Sequence, residues 1–70
     1  MNLTQVKSSN LAAIGYEPKS KTLEVEFISG ARWRYFDVPV SVWEGLRSAE
    51  SHGVYFHREI RTSFRSVQVG

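Results

Sequence analysis

The chain contains no cysteine, so neither a disulfide nor a thiolate zinc site can brace it. It has two prolines, Pro18 and Pro39, and each stands where an element should begin or end. No apolar run approaches the about twenty residues that cross a bilayer, and residues 1–9 are polar rather than signal-like, so the default expectation is a cytoplasmic protein without membrane contact. Neither sign of charge dominates: nine Lys and Arg face seven Asp and Glu, a net +2. The pI of about 9.3 permits contact with nucleic acid without requiring it. Repeats, linkers and low-complexity stretches are absent too.

What is present is a globular composition, 41% hydrophobic and 13% aromatic, in 70 residues. That length makes one domain near the lower limit at which an ordinary core supports itself. Trp33, Trp43, Tyr35, Tyr55, Phe27, Phe56 and Phe64 supply bulk for such a core.

Residues 21–39 organise the chain. Leu23, Val25 and Phe27 alternate with Thr22, Glu24, Glu26 and Ile28, and beyond Ser29-Gly30 Trp33 and Tyr35 alternate with Arg32, Arg34 and Phe36. Two alternating runs across a turn form a hairpin. A one-residue slip would send every side chain to the wrong face, so a two-residue loop is disfavoured. A three-residue loop, Ser29-Gly30-Ala31, places Phe27 opposite Trp33, Val25 opposite Tyr35 and Glu26 opposite Arg34. On that register Trp33 and Tyr35 face the core, whereas Phe36, Arg32 and Arg34 face outward.

Residues 1–10 are polar and aperiodic and read as a loose lead-in to a single domain over 11–70. Residues 11–16, LAAIGY, fit a first strand, and residues 17–21 form a turn around Pro18. After Phe36 the period changes. Pro39 suits the first turn of a helix, Ser41 can cap that turn or sit just inside it, Glu44 follows at capping-box spacing, and Val42, Leu46 and Ala49 share a face, which predicts a helix over 40–50. Gly45 inside it lowers helix propensity by up to about 1 kcal/mol unless close packing needs the missing side chain. Tyr55, Phe56, Glu59 and Ile60 recur at helical spacing, a second short helix, and residues 65–69 alternate as a short edge strand would. The expected fold is α+β: a three-stranded antiparallel β-meander packed by one amphipathic helix and a second short helix, with that C-terminal edge strand.

The residues show no reaction. His52 and His57 are five apart, lack a third ligand, and are not a metal site. Ser51 next to His52 points away from it, and Ser51 reads as a helix-end hydrogen-bonder. Glu24 and Glu26 share a strand face where Arg34 and solvent account for them. Gly30 and Gly53 are isolated and fit a turn and a helix end rather than a phosphate-cradling loop. No cofactor or catalytic residue is expected, and the chain reads as a non-enzyme.

Ile14-Gly15-Tyr16, Leu23-x-Val25-x-Phe27, Ser29-Gly30, Trp33-x-Tyr35, Val38-Pro39, Leu46-x-x-Ala49 and Ser51-x-Gly53-x-Tyr55-Phe56-x-x-x-Ile60-Arg61 together resemble the KTSC domain family. That family occurs at the C-terminus of some lysyl-tRNA synthetases and as small bacterial and phage proteins. Its central aromatic-x-aromatic pair is usually two tyrosines, and Trp33 replaces the first here. The resemblance implies a small cytoplasmic module that binds RNA, and it carries over no catalytic residue. Combined with the basic bias after Arg47, it points to Arg32, Arg58, Arg61 and Arg65 as phosphate contacts and to Phe36 or Tyr55 as stacking platforms. The competing expectation is a protein-interaction or self-association module working through the hairpin edge or the outer aromatic patch.

Overall fold

The computed structural model describes all residues, 1–70. Strands β1 (Thr4–Gln5), β2 (Leu11–Glu17), β3 (Thr22–Phe27) and β4 (Arg32–Tyr35) precede helices α1 (Val40–Ser48) and α2 (His52–Glu59), and β5 (Ser66–Gln68) closes the chain. The strands form one antiparallel sheet in the order β1-β2-β3-β4-β5, with the helices on a single face. The α+β class is as expected, but the three-stranded meander is corrected to five strands, four of them before the helices. The C-terminal strand pairs with β4, and residues 4–5 of the expected lead-in pair with β2 as β1.

Strand β2 shows why a strict alternation was not visible in LAAIGY. Leu11 is level with Phe27 and Ala13 with Glu26, so the extra residue between them is a bulge that turns both Leu11 and Ile14 toward the helices. Both are buried completely or nearly so, beside Leu23 and Val25 of β3. Gly15 lies on the opposite face, where the Asn2 carbonyl oxygen and Leu3 Cδ2 are 2.6 and 2.7 Å from the place a Cβ would take. The N-terminal segment therefore crosses β2 at a point only glycine leaves open.

The β3–β4 hairpin has a three-residue loop, as predicted, but one position earlier, at residues 28–30. The Phe27 N–H donates to the Ala31 carbonyl at 2.9 Å. Leu23 is then opposite Tyr35, Glu24 opposite Arg34, Val25 opposite Trp33 and Glu26 opposite Arg32. This two-residue displacement from the expected pairing leaves every side chain on its expected face and changes only its partner. Glu24 and not Glu26 faces Arg34. Glu24 is also buried, 4% exposed, rather than solvated.

Helix α1 begins directly after Pro39, whose extended backbone serves as N-cap with no side-chain hydrogen bond. Of the two places expected for Ser41, cap or just inside the first turn, it takes the second, and no capping box forms, the Glu44 carboxylate accepting instead from Arg47 at 2.8 Å. Ser51 does cap α2, accepting from the Val54 N–H at 3.2 Å. Gly53 consequently lies in the first turn of α2 instead of ending α1. The helices are linked where the Leu46 carbonyl accepts from His52 Nδ1–H at 2.8 Å. Their inner faces supply Leu46, Phe56 and Ile60 to a core completed by Val38, Tyr35 and the apolar residues of β2 and β3. Truncating one such side chain costs about 2–5 kcal/mol, a large share of what a domain this small commands.

Candidate functional site

Alternation along β3 and β4 aims Phe27, Trp33 and Tyr35 at the helix layer, and α2 brings Phe56 down between them. The Phe56 ring meets Phe27 at 5.5 Å with an interplanar angle of 72° and Tyr35 at 5.4 Å and 80°, edge-to-face in both cases. This wedge fills the core beneath but does not reach the end of the sheet. A cleft of about 490 Å³ remains there, with those four aromatic residues as walls. Asn10, His57, Arg61 and Ser66 complete its lining, none of them acidic.

Tyr35 is 4% exposed, and burial pushes its phenol above the usual value of 10.0 while the positive charge of Arg61 pulls the other way. Its hydroxyl has no hydrogen-bond partner in the chain, yet no buried side-chain polar atom is left unpaired, so the oxygen opens onto the cleft. Arg61 donates from Nη1 to His57 Nδ1 at 3.2 Å. A guanidinium cannot accept, so His57 Nδ1 carries the lone pair and Nε2 the proton.

The arginines divide by what they already hold. Arg34 Nε is 2.8 Å and Arg32 Nη1 3.6 Å from the Glu24 carboxylate, Arg47 is paired with Glu44, and Arg58 with Glu59. Arg65 lies over the Phe36 ring, 5.2 Å from its centroid. Arg61 faces no carboxylate and opens onto the aromatic cleft.

The residues singled out from sequence are therefore spread over different faces. Arg32, Phe36 and Arg65 lie on the sheet face away from the helices, with Phe36 half-buried beneath Arg65. Arg58 is on the exposed side of α2, and Tyr55 packs its ring over Gly45 of α1. Arg61 alone of the six borders the cleft. The core placement expected for Trp33 and Tyr35 holds for Tyr35, of which only the hydroxyl opens onto the cleft, and holds in part for the half-buried Trp33. Asn10 and Ser66 carried no signal and His57 one only as a metal ligand, since the β1–β2 connection, α2 and β5 bring the three together in space. No cluster of three or more His, Asp or Glu side chains is placed to hold a metal ion, and no helix is long and apolar enough to cross a membrane.

Comparison with known proteins sets this geometry in a family. The KTSC domain profile matches residues 7–64. A lysine–tRNA ligase of Nostoc sp. is 42% identical over 67 residues, 96% of this chain. The chain spans only 12% of that ligase's length. An uncharacterized protein of Stutzerimonas stutzeri is 43% identical over 58 residues, 83% of this chain and 82% of that protein. The crystal structure of a KTSC domain protein from Yersinia pestis superposes with a TM-score of 0.95 at 30% identity, covering 99% of this chain and 97% of that one. The family match over residues 7–64, the matching fold and two small relatives covered over 82% and 97% of their length agree: the chain belongs to the KTSC domain family.

Proposed function

We propose that this domain is a non-catalytic module that binds single-stranded RNA, taking one base into the aromatic cleft while Arg61 meets the adjoining phosphate. The observation that carries this reading is an arginine without a carboxylate partner beside four aromatic residues in a cleft with no acidic lining. Its volume of about 490 Å³ lies in the range of sites for small ligands. Flat rings beside a guanidinium suit a base and its phosphate. The similarity to a segment of a lysine–tRNA ligase supports RNA as the ligand class. The non-catalytic part rests on occupied groups: Ser51 Oγ caps α2, and each histidine has its Nδ1 engaged, by Leu46 or by Arg61.

The test is an NMR titration of the labelled domain with tRNA and a pool of short RNAs at about 50 and 200 mM salt, since each neutralised phosphate on a single strand contributes a slope of about −0.7 in log affinity against log salt. Expected are shifts at the Trp33 indole, Arg61 and Ser66 that weaken at the higher salt, and their loss in Arg61→Ala but not in Arg58→Ala. Silence at both salt concentrations overturns the proposal.

A second reading, a protein-docking or self-association surface, is favoured by β5. That edge strand presents Val67, 45% exposed and opposite Arg34 on the face of Phe36, and Val69 just beyond it is 41% exposed. Phe36→Ala would then abolish association while leaving the cleft intact.

A further inference from the structure

We infer, resting on the RNA reading, that binding of a phosphate at Arg61 is coupled to protonation of His57, so that the cleft holds RNA more tightly in mildly acid solution. The hydrogen bond between these two residues carries the inference. Arg61 Nη1 lies 3.2 Å from His57 Nδ1, and because a guanidinium only donates, the contact exists only while Nδ1 keeps its lone pair. Neutral His57 therefore occupies one of the donors that a phosphate would use. Protonation removes that acceptor and leaves two cations side by side on the wall of one cleft.

No carboxylate lies beside that pair. Across the cleft, β4 brings the neutral phenol of Tyr35, β5 brings Ser66 and the β1–β2 connection brings Asn10. On its other side His57 borders a depression that adds a further cation, Arg58, and no acid. The acid nearest in the chain, Glu59, is engaged by Arg58 at 3.0 Å. A phosphate between His57 and Arg61 supplies the missing negative charge. Linkage then makes the effect reciprocal: the bound phosphate favours the imidazolium by the same factor as the imidazolium favours the phosphate. Histidine is the side chain that ordinarily changes charge between about pH 5 and 8, whereas a phosphodiester stays anionic throughout that range.

The experiment is fluorescence anisotropy of the whole 70-residue chain with labelled octauridylate that lacks a terminal phosphate, at two pH values and one fixed low ionic strength. The probe has no group that titrates between them. The expected result is about fivefold tighter binding at about pH 5.5 than at about pH 8, the upper end of what one exposed ion contact contributes. His57→Gln, at an exposed position of α2, keeps an acceptor for Arg61 and cannot take up a proton. Its affinity should be the same at both pH values and close to that of the wild type at the higher one, with the spectrum of the folded domain unchanged. A wild-type affinity indifferent to pH, or a dependence that persists in His57→Gln, overturns the inference and leaves RNA binding standing. Binding at neither pH overturns both.

Discussion

Glu24 is a carboxylate buried on the sheet face that carries no helix, and it engages two arginines at once. Each guanidinium is about half exposed, so solvent screening discounts the attraction and no stranded buried charge would remain if the carboxylate were removed. Glu24→Gln should therefore cost only about 1 kcal/mol in urea denaturation. The same variant releases Arg32 and Arg34 and should raise salt-sensitive, sequence-indifferent RNA binding without altering the response at Trp33. An unchanged affinity would mean that the outer face is out of reach of RNA even when its charge is uncovered. This pairing was half legible in the sequence. Parity assigns faces, and Glu24 with Arg34 fell correctly on the outer one. Partners depend on where the loop closes, and a two-residue displacement preserves every face while exchanging every pair.

At the scale of elements, the two helices meet through a missing side chain. The Tyr55 ring lies over Gly45, with its Cζ 2.6 Å from the place a Cβ would occupy. Gly45→Ala should gain up to about 1 kcal/mol in helix propensity and lose about 1–3 kcal/mol to overpacking, a net destabilisation. In a Tyr55→Ala background the same substitution should become stabilising, and denaturant melts of the four chains check the reversal. Additive effects would show that the ring moves aside freely. The sequence marked Gly45 as anomalous in an amphipathic helix but could not name the ring that requires it. Elements with a period of their own were readable: β3, β4, α1 and α2 lie where alternation or helical spacing put them. Strand β1 was not, because Thr4–Gln5 has no apolar pattern and pairs only because β2 offers an open edge and Gly15 lets the chain cross. The start of α1 at Val40 was legible, and its capping was not. Ser41 and Glu44 have the right spacing, but Pro39 already ends the extended chain two residues earlier.

The cleft exists only at the scale of the whole molecule, since its lining comes from the β1–β2 connection, β3, β4, β5, α2 and the turn after it. Nothing local announces Asn10 or Ser66, whereas the aromatic walls were legible as far as alternation reaches. The same layer of tyrosines links the fold to pH. Burial raises the phenols of Tyr35 and Tyr16 above the usual 10.0, and the Tyr16 hydroxyl donates to the Val38 carbonyl while its ring stacks on Trp43 at 5.4 Å. In the unfolded chain both lose their protons near the ordinary value. Their contribution is therefore fully present below about pH 10 and is lost as the pH rises through the elevated folded values. Lysines titrate in that range too, so the informative quantity is the difference between wild type and Tyr35→Phe. Phenylalanine fills the same space and cannot ionise, so the wild type should lose stability relative to the variant between about pH 9.5 and 11, measured as urea midpoints at constant ionic strength. Parallel curves would place the Tyr35 hydroxyl in free contact with water at the cleft wall, and an RNA base entering there would displace solvent from it rather than meet a desolvated phenol.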